Sequence, residues 1–283
     1  MIPELQWGRR TYLMGVLNVT PDSFSGDGLA AAGRSEAEVV ELAVTQGRAF
    51  VDAGAEILDI GAESTRPRRA YGEHPEVDAE TEMALAMPVV RAVVAALGDE
   101  ALVSIDTSKG IVARAAIDGG ARMVNDVWAA QRDPSTAEAA ATSGAYLVLM
   151  HNQEGTDYPD GVFDAVVEWL DRAVADAIVR GVPRERLIVD PGIGFGKGTE
   201  ENLEMLHRLG ELKARLGGLP LLVGTSRKRF LGELLGGAGV DDRVEGTAAS
   251  VALAIAAGVD IVRVHDVAHI DRTRRVADAI MRR

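Results

Sequence analysis

Cysteine is absent from the 283 residues, which excludes disulfides and thiolate metal sites and leaves the redox compartment undetermined by sulfur chemistry. Aromatic residues are scarce, at 4% against 47% hydrophobic overall, which suits layers of Val, Ile, Leu and Ala better than an aromatic stacking platform. Positive charge is in deficit: 30 Lys+Arg face 43 Asp+Glu, for a net −13. A field of that sign repels polyanions, argues against nucleic acid as a partner, and means that an anionic substrate needs a local basic cluster. Long apolar runs are missing too; none approaches the roughly 20 residues that span a bilayer. The opening Met1-Ile2-Pro3-Glu4-Leu5-Gln6-Trp7 lacks the basic and then apolar pattern of a leader. A soluble, cytoplasmic protein without membrane contact is expected.

What the chain does contain is a repeated unit. Eight short apolar runs finish in polar, chemically capable residues: Asn18, Asp59, Asp106, Asn125-Asp126, His151, Asp190, Gly224 and His265-Asp266. Strand and helix alternate throughout, with strands at Tyr12–Leu17, Ile57–Ile60, Leu102–Ile105, Met123–Val127, Tyr146–Met150, Leu187–Val189, Leu221–Val223 and Ile261–Val264. Helices are predicted at Ser35–Ala53, Ala79–Ala96, Gly110–Ile117, Ser135–Ser143, Asp164–Arg180, Glu200–Leu216, Phe230–Leu235 and Gly246–Ala257, with a last one ending at Met281. Ser35 with Glu38 forms a capping-box pattern, and glycines at 54, 120, 181 and 258 punctuate helix ends. Continuous apolar strands between amphipathic helices fit a parallel sheet covered by helices. Eight such units favour an α/β (β/α)8 TIM barrel occupying residues 1–283 as a single domain. In that fold the catalytic groups gather at the carboxyl ends of the strands, so the decorated ends imply one pocket and an enzyme.

The chemistry sorts by sign. Asp106, Asn125 and Asp190 end the third, fourth and sixth strands and could wall a heterocycle whose edge presents adjacent N–H donors. Asp106 could instead cap the third helix. Arg66, Arg68 and Arg69 after the second strand make an anion trap suited to a carboxylate or phosphate; pairing with Glu73, Glu76 or Asp78 is the plainer alternative. Ser226, Lys228, Arg263 and His265 follow strands seven and eight, the usual phosphate corner of the fold, whereas Arg227 and Arg229 read as surface charge. The segment Asp190-Pro191-Gly192-Ile193-Gly194-Phe195-Gly196-Lys197 fails both the P-loop and dinucleotide patterns, so its glycines are expected to let backbone approach a flat ligand. No H-E-x-x-H or H-x-H is present and His269 reads as helix surface, while Mg2+ held by Asn18 plus ligand phosphates is compatible.

Taken in order, Met14–Ser25, Glu63-Ser64-Thr65-Arg66-Pro67, Ile105-Asp106-Thr107, Val124–Val127, Asp190–Lys197, Ser226-Arg227-Lys228 and Arg263–Val267 resemble the dihydropteroate synthase family over essentially the whole chain. The resemblance implies condensation of 7,8-dihydropterin-6-ylmethyl diphosphate with p-aminobenzoate to dihydropteroate and diphosphate, in folate biosynthesis. It implies Asp106, Asn125, Asp190 and Lys228 on the pterin, with Met150 as an apolar contact, and Arg263, His265 and Asn18 towards the diphosphate and Mg2+. Thr65, Arg66, Pro67, Phe24, Ser226 and Lys228 would form the p-aminobenzoate site, with Asp22 ordering the loops. Asp106, Asp190, Lys228 and Arg263 are the residues expected to carry catalysis, and a homodimer through the last helices comes with the family.

Two segments depart from the family pattern: Ser25-Gly26-Asp27-Gly28 in the first loop, and Met150-His151-Asn152-Gln153-Glu154 after the fifth strand in place of Met-His-Met, from which only Met150 is carried over and Asn152 has no assigned role. Two other functions share parts of the pattern. A methyltransferase that moves a methyl group from methyltetrahydrofolate to a corrinoid protein would not need Thr65-Arg66-Pro67 beside Ser226-Arg227-Lys228, and a silent binding paralogue would not keep the loops intact.

Overall fold

The computed structural model describes residues 4–20, 28–30, 33–63 and 77–282. Its strands are β1 (Tyr12–Asn18), β2 (Ile57–Gly61), β3 (Leu102–Asp106), β4 (Met123–Asp126), β5 (Tyr146–Met150), β6 (Leu187–Asp190), β7 (Leu222–Val223) and β8 (Ile261–Val264). Between and after them run α1 (Glu36–Asp52), α2 (Ala79–Leu97), α3 (Gly110–Asp118), α4 (Ser135–Ser143), α5 (Val162–Val179), α6 (Thr199–His207), α7 (Leu209–Arg215), α8 (Arg229–Leu234), α9 (Val244–Ala256) and α10 (Val267–Met281). All strand pairings are parallel, in the order β6-β5-β4-β3-β2-β1-β8-β7. A parallel bridge between Val189 and Leu221 joins the two outer strands, which makes the sheet a nearly closed (β/α)8 barrel.

The period of two along each strand divides the apolar residues into two sets. Leu13, Leu58, Ile60, Val103, Ile105, Val124, Leu147, Val189 and Val262 point outward and pack against the helices. Tyr12, Met14, Ile57, Leu102, Met123, Tyr146, Ile188, Leu222 and Ile261 point inward and fill the lower barrel. Trp7 closes the floor, edge-on to Tyr12 and Tyr146 at 5.8 and 6.0 Å, so part of the small aromatic complement is spent there. Further up, the inward positions change character. They become Asp59, Ser104, Asp106, Asn125, Asp190 and Arg263, and the core gives way to a polar site.

Local chemistry agrees with the elements. Ser35 and Glu38 make both bonds of the capping box on α1, and Asp78 caps α2 by accepting from Thr81 N at 2.8 Å. One expected helix is divided: 200–216 is α6 followed by α7, with Arg208 between them at φ −104° and ψ 18°. Arg208 lies over the Phe163 ring at 3.4 Å and pairs with Glu204 and Glu211, and the break adjoins Gly210, a weak helix former two residues on. On the outside, α9 and α10 share an apolar groove lined by Ala248, Ala252, Ala256, Val276 and Ile280. Leu253 and Val276 on these helices are 72% and 62% exposed. Among the described residues no helix is long and apolar enough to cross a membrane.

Candidate active site

The parallel register gathers the predicted residues on one rim. Asn18 is level with Gly61, Gly61 with Asp106, Asp106 with Asn125, and Met150 with Asp190. Arg263, the third residue of β8, reaches across the barrel. Its Nε donates to Asp59 Oδ2 at 2.7 Å and its Nη2 to Asp106 Oδ2 at 2.8 Å. Asn125 Nδ2 donates to the same Asp59 oxygen at 3.0 Å. One fully buried carboxylate therefore orients both the guanidinium and the amide, which leaves the Asn125 carbonyl oxygen to accept from another group. Asp59 belongs to this cluster, although in the sequence it reads only as the end of an apolar run. The signal was available: an acid inside an otherwise apolar strand, two residues before Gly61 and so on the same face.

Burial sets the charge state of this cluster. It pushes Asp106 well above the carboxylate range, with Arg263 opposing and Asp59 reinforcing the shift. Burial also raises Asp190 to about 6, against the Gly192 N–H bond and the cations Lys228, Lys197 and Arg263. Arg263 itself keeps its proton despite desolvation, because Asp59 and Asp106 flank it. Asp59 Oδ1, Ser104 Oγ and Asp106 Oδ1 are buried oxygens with no hydrogen-bond partner among the described residues. A wall of such acceptors is suited to N–H donors on a flat ring.

The loop after β6 supports the opposite side. Asp190 Oδ1 accepts from Gly192 N at 2.7 Å, and the Phe195 ring lies 4.0 Å from Lys228 Nζ. The glycines of this loop were expected to admit a flat ligand, but the structure gives them a nearer reason. Gly192 has φ +67°, and a Cβ there would meet His151 O at 2.0 Å; at Gly194, φ +81°, it would meet Lys228 Cδ at 2.8 Å. The chain is packed against itself here, and glycine is what that approach requires.

At the β7/β8 corner, Ser226 Oγ lies 3.0 Å from His265 Nδ1 and accepts from His265 N at 3.2 Å. Arg227 is not surface charge as expected. Its guanidinium makes a bidentate pair with Asp266 at 2.8 and 3.1 Å, and it adopts φ +59°, a strained conformation for a residue with a side chain. This turn lies between Ser226 and Lys228 and fixes their relative direction. Arg229 is an exposed partner of Glu233, as its surface reading requires.

The remaining expectations divide. Asp106 does not cap a helix: Lys109 precedes α3, and Gly110 N donates to Asp133 Oδ2 at 2.7 Å. Lys109 Nζ bridges Glu63 and Glu82 at 2.6 Å each, an ion cluster at the base of the second loop. Met150, His151 and Asn152 are buried at the end of β5, and His269 is exposed on α10. Asp22, Phe24, Thr65, Arg66 and Pro67, with the departing Ser25-Gly26-Asp27, lie outside the described residues. Among the described residues no group of three His, Cys, Asp or Glu could hold a metal; Asn18 stands half-buried at the tip of β1.

An acid wall facing a basic corner at the carboxyl rim of a barrel defines a class: a TIM-barrel enzyme built to take a donor-edged ring carrying an anionic group. A family model described as "Pterin binding enzyme" matches residues 14–265, and the chain belongs to that family. It is 42% identical to the dihydropteroate synthase of Synechocystis, over 98% of this chain and 92% of that one. Among solved structures, the Clostridium difficile dihydropteroate synthase determined in the presence of pteroic acid superposes with a TM-score of 0.88 at 40% identity, covering 99% of this chain and 100% of that one. The Xanthomonas albilineans enzyme in complex with 7,8-dihydropteroate superposes at 0.83 with 36% identity, over 97% and 95% of the two chains.

Proposed function

We propose that this chain is a dihydropteroate synthase, joining 7,8-dihydropterin-6-ylmethyl diphosphate to p-aminobenzoate with release of diphosphate. The observation that carries this reading is the gathering on one rim of Asp59, Asp106, Asn125 and Asp190, with Arg263 ion-paired to Asp59 and Asp106, Lys228 acting on Asp190, and the Ser226–His265 pair at the β7/β8 corner. The pterin ring presents N–H donors to the acid wall, and Met150 contributes an apolar surface below it. Lys228 and Arg263 border the ring on its basic side. The C–O bond to diphosphate breaks as the aromatic amine forms the new C–N bond, and the amine's proton leaves to solvent or to the departing anion. Positive charge developing on the pterin methylene is stabilised by the buried carboxylates, and the leaving anion by Arg263 and His265.

The p-aminobenzoate carboxylate is assigned to Arg66, with Thr65, Pro67, Phe24, Ser226 and Lys228 completing its site and Asp22 given the role of ordering the loops. The donor set at the anionic end is one neutral amide, Asn18, which suits an ion that keeps its waters and binds substrate phosphates. Mg2+ held there would neutralise charge on the leaving diphosphate. We also place the protein in the cytoplasm as a homodimer joined through α9 and α10, whose exposed Leu253, Val276, Ile280 and Met281 offer an apolar face.

The test is direct. Purified protein with the pterin diphosphate, p-aminobenzoate and Mg2+ is expected to yield 7,8-dihydropteroate and diphosphate in equal amounts. Folded protein that gives no product, yet moves a methyl group from methyltetrahydrofolate to a corrinoid acceptor, would replace this assignment with the methyltransferase.

A further inference from the structure

Lys197 ends the glycine-rich segment after β6 and takes no part in the chemistry above. It is 7% exposed, and its ammonium donates in three directions: to His151 Nδ1 at 2.9 Å, Gly192 O at 3.1 Å and Phe195 O at 3.1 Å. With Lys197 protonated, all three of its N–H donors are used and His151 Nδ1 is the ring's unprotonated nitrogen. Burial and the neighbouring Lys197 hold His151 neutral, which keeps that acceptor available. The backbone of Lys197 is tied as well: Asn202 Nδ2 donates to its carbonyl and to Gly198 O, and Asn202 Oδ1 accepts from Gly194 N at 2.6 Å.

Two of these bonds lead to residues of the proposed site. The Gly192 peptide is gripped on both sides, with its carbonyl on Lys197 and its N–H on Asp190 Oδ1 at 2.7 Å. The Phe195 carbonyl is also on Lys197, while its ring lies against the Lys228 ammonium. We propose that Lys197 is a positioning residue for the ring pocket, setting Asp190 through the Gly192 peptide and Lys228 through Phe195. Electrostatics run the same way: burial lowers Lys197 to about 7, while Asp190 opposes and Lys228 adds to the shift. A hydrophobic residue of similar length would fill the space and take the Lys197 donor from the part-buried Phe195 carbonyl and the buried His151 Nδ1. This inference rests on the reading of the rim as a pterin pocket.

The experiment is calorimetric titration of pterin-6-carboxylic acid into wild type, Lys197→Met, Lys197→Gln, Asp190→Asn and the double variant, each at a temperature where thermal melts show it folded. Wild type is expected to bind. Lys197→Met should weaken binding ~10-fold, the equivalent of one lost hydrogen-bond arm. Lys197→Gln, which keeps two N–H donors, should fall between the two; if Lys197→Met does not fold, it carries the comparison. In the Asp190→Asn background the Lys197 substitution should cost less than about 3-fold, because coupled residues are not additive. Unchanged affinity in the Lys197 variants, or fully multiplicative effects with Asp190→Asn, overturns the inference while leaving the pocket standing. Failure of wild type to bind overturns both.

Discussion

At the scale of single residues the site is organised by charges that share partners. Arg263 is the only cation hydrogen-bonded to Asp59 and Asp106 among the described residues; both acids are buried, and the Arg263 side chain is 23% exposed. Removing one member of such a group leaves uncompensated charge, which costs roughly 3–5 kcal/mol. Arg263→Met is therefore expected to lose about that much in urea unfolding at pH 7, with a substantial part recovered in an Asp59→Asn, Arg263→Met double variant; no recovery would contradict the shared role. A second consequence concerns pH. Asp190 is raised to about 6, so the folded state holds its proton more tightly than the unfolded chain, whose Asp titrates near 4. Its contribution to stability is complete below about pH 4 and is lost as pH rises through about 6. Relative to Asp190→Asn, wild type should lose on the order of 2–3 kcal/mol between pH 4 and 7. Paired chemical melts across that range check this, and a pH-independent difference would sink it.

At the scale of elements, strand existence and direction were legible because each apolar run is short, β-branched and followed by a helical period. The rim was legible for the same reason: Asp106, Asn125 and Asp190 occupy last or next-to-last strand positions, where the fold puts its chemistry. What stayed hidden depended on contacts between distant segments. Asp59 acquires its role from Arg263, 204 residues away. Arg208, at the break between α6 and α7, lies over Phe163, and the strained turn at Arg227 is tied to Asp266. Close packing also decides a prediction for α1. Gly47 lies on its buried face, and a Cβ there would meet Leu97 Cδ1 at 2.8 Å. Replacing Gly by Ala in a helix gains about 1 kcal/mol in propensity, whereas overpacking a filled core costs about 1–3 kcal/mol. Gly47→Ala should therefore be net destabilising, seen as a lower urea midpoint with an unchanged slope; a raised midpoint would show that the α1–α2 contact at Leu97 yields more easily than its geometry implies.

At the scale of the molecule, one architecture separates stability from function. The floor and the helix–barrel layer are mainly apolar, with isolated buried polar groups such as Asp260 paired to Lys213, and the inward-facing polar residues gather at the rim. The α9/α10 face is the exception on the outside, where Val276 and Ile280 are both more than half exposed along one groove. Contiguous exposure of that kind marks an interaction surface. Ile280→Asp is expected to shift sedimentation from dimer to monomer with the barrel still folded; a wild-type monomer at micromolar concentration, or a variant dimer, would place the interface elsewhere.

The central claim is that the polar tips of eight strands form one pterin pocket, acids on the ring and bases on its anionic arm. A crystal structure of the chain with bound 7,8-dihydropterin-6-ylmethyl diphosphate tests it most directly. The account predicts the ring between Asp106, Asn125 and Asp190, with the diphosphate turned to Arg263 and His265. A ring bound anywhere else, or held with the diphosphate against Asp106 and Asp190, would contradict it.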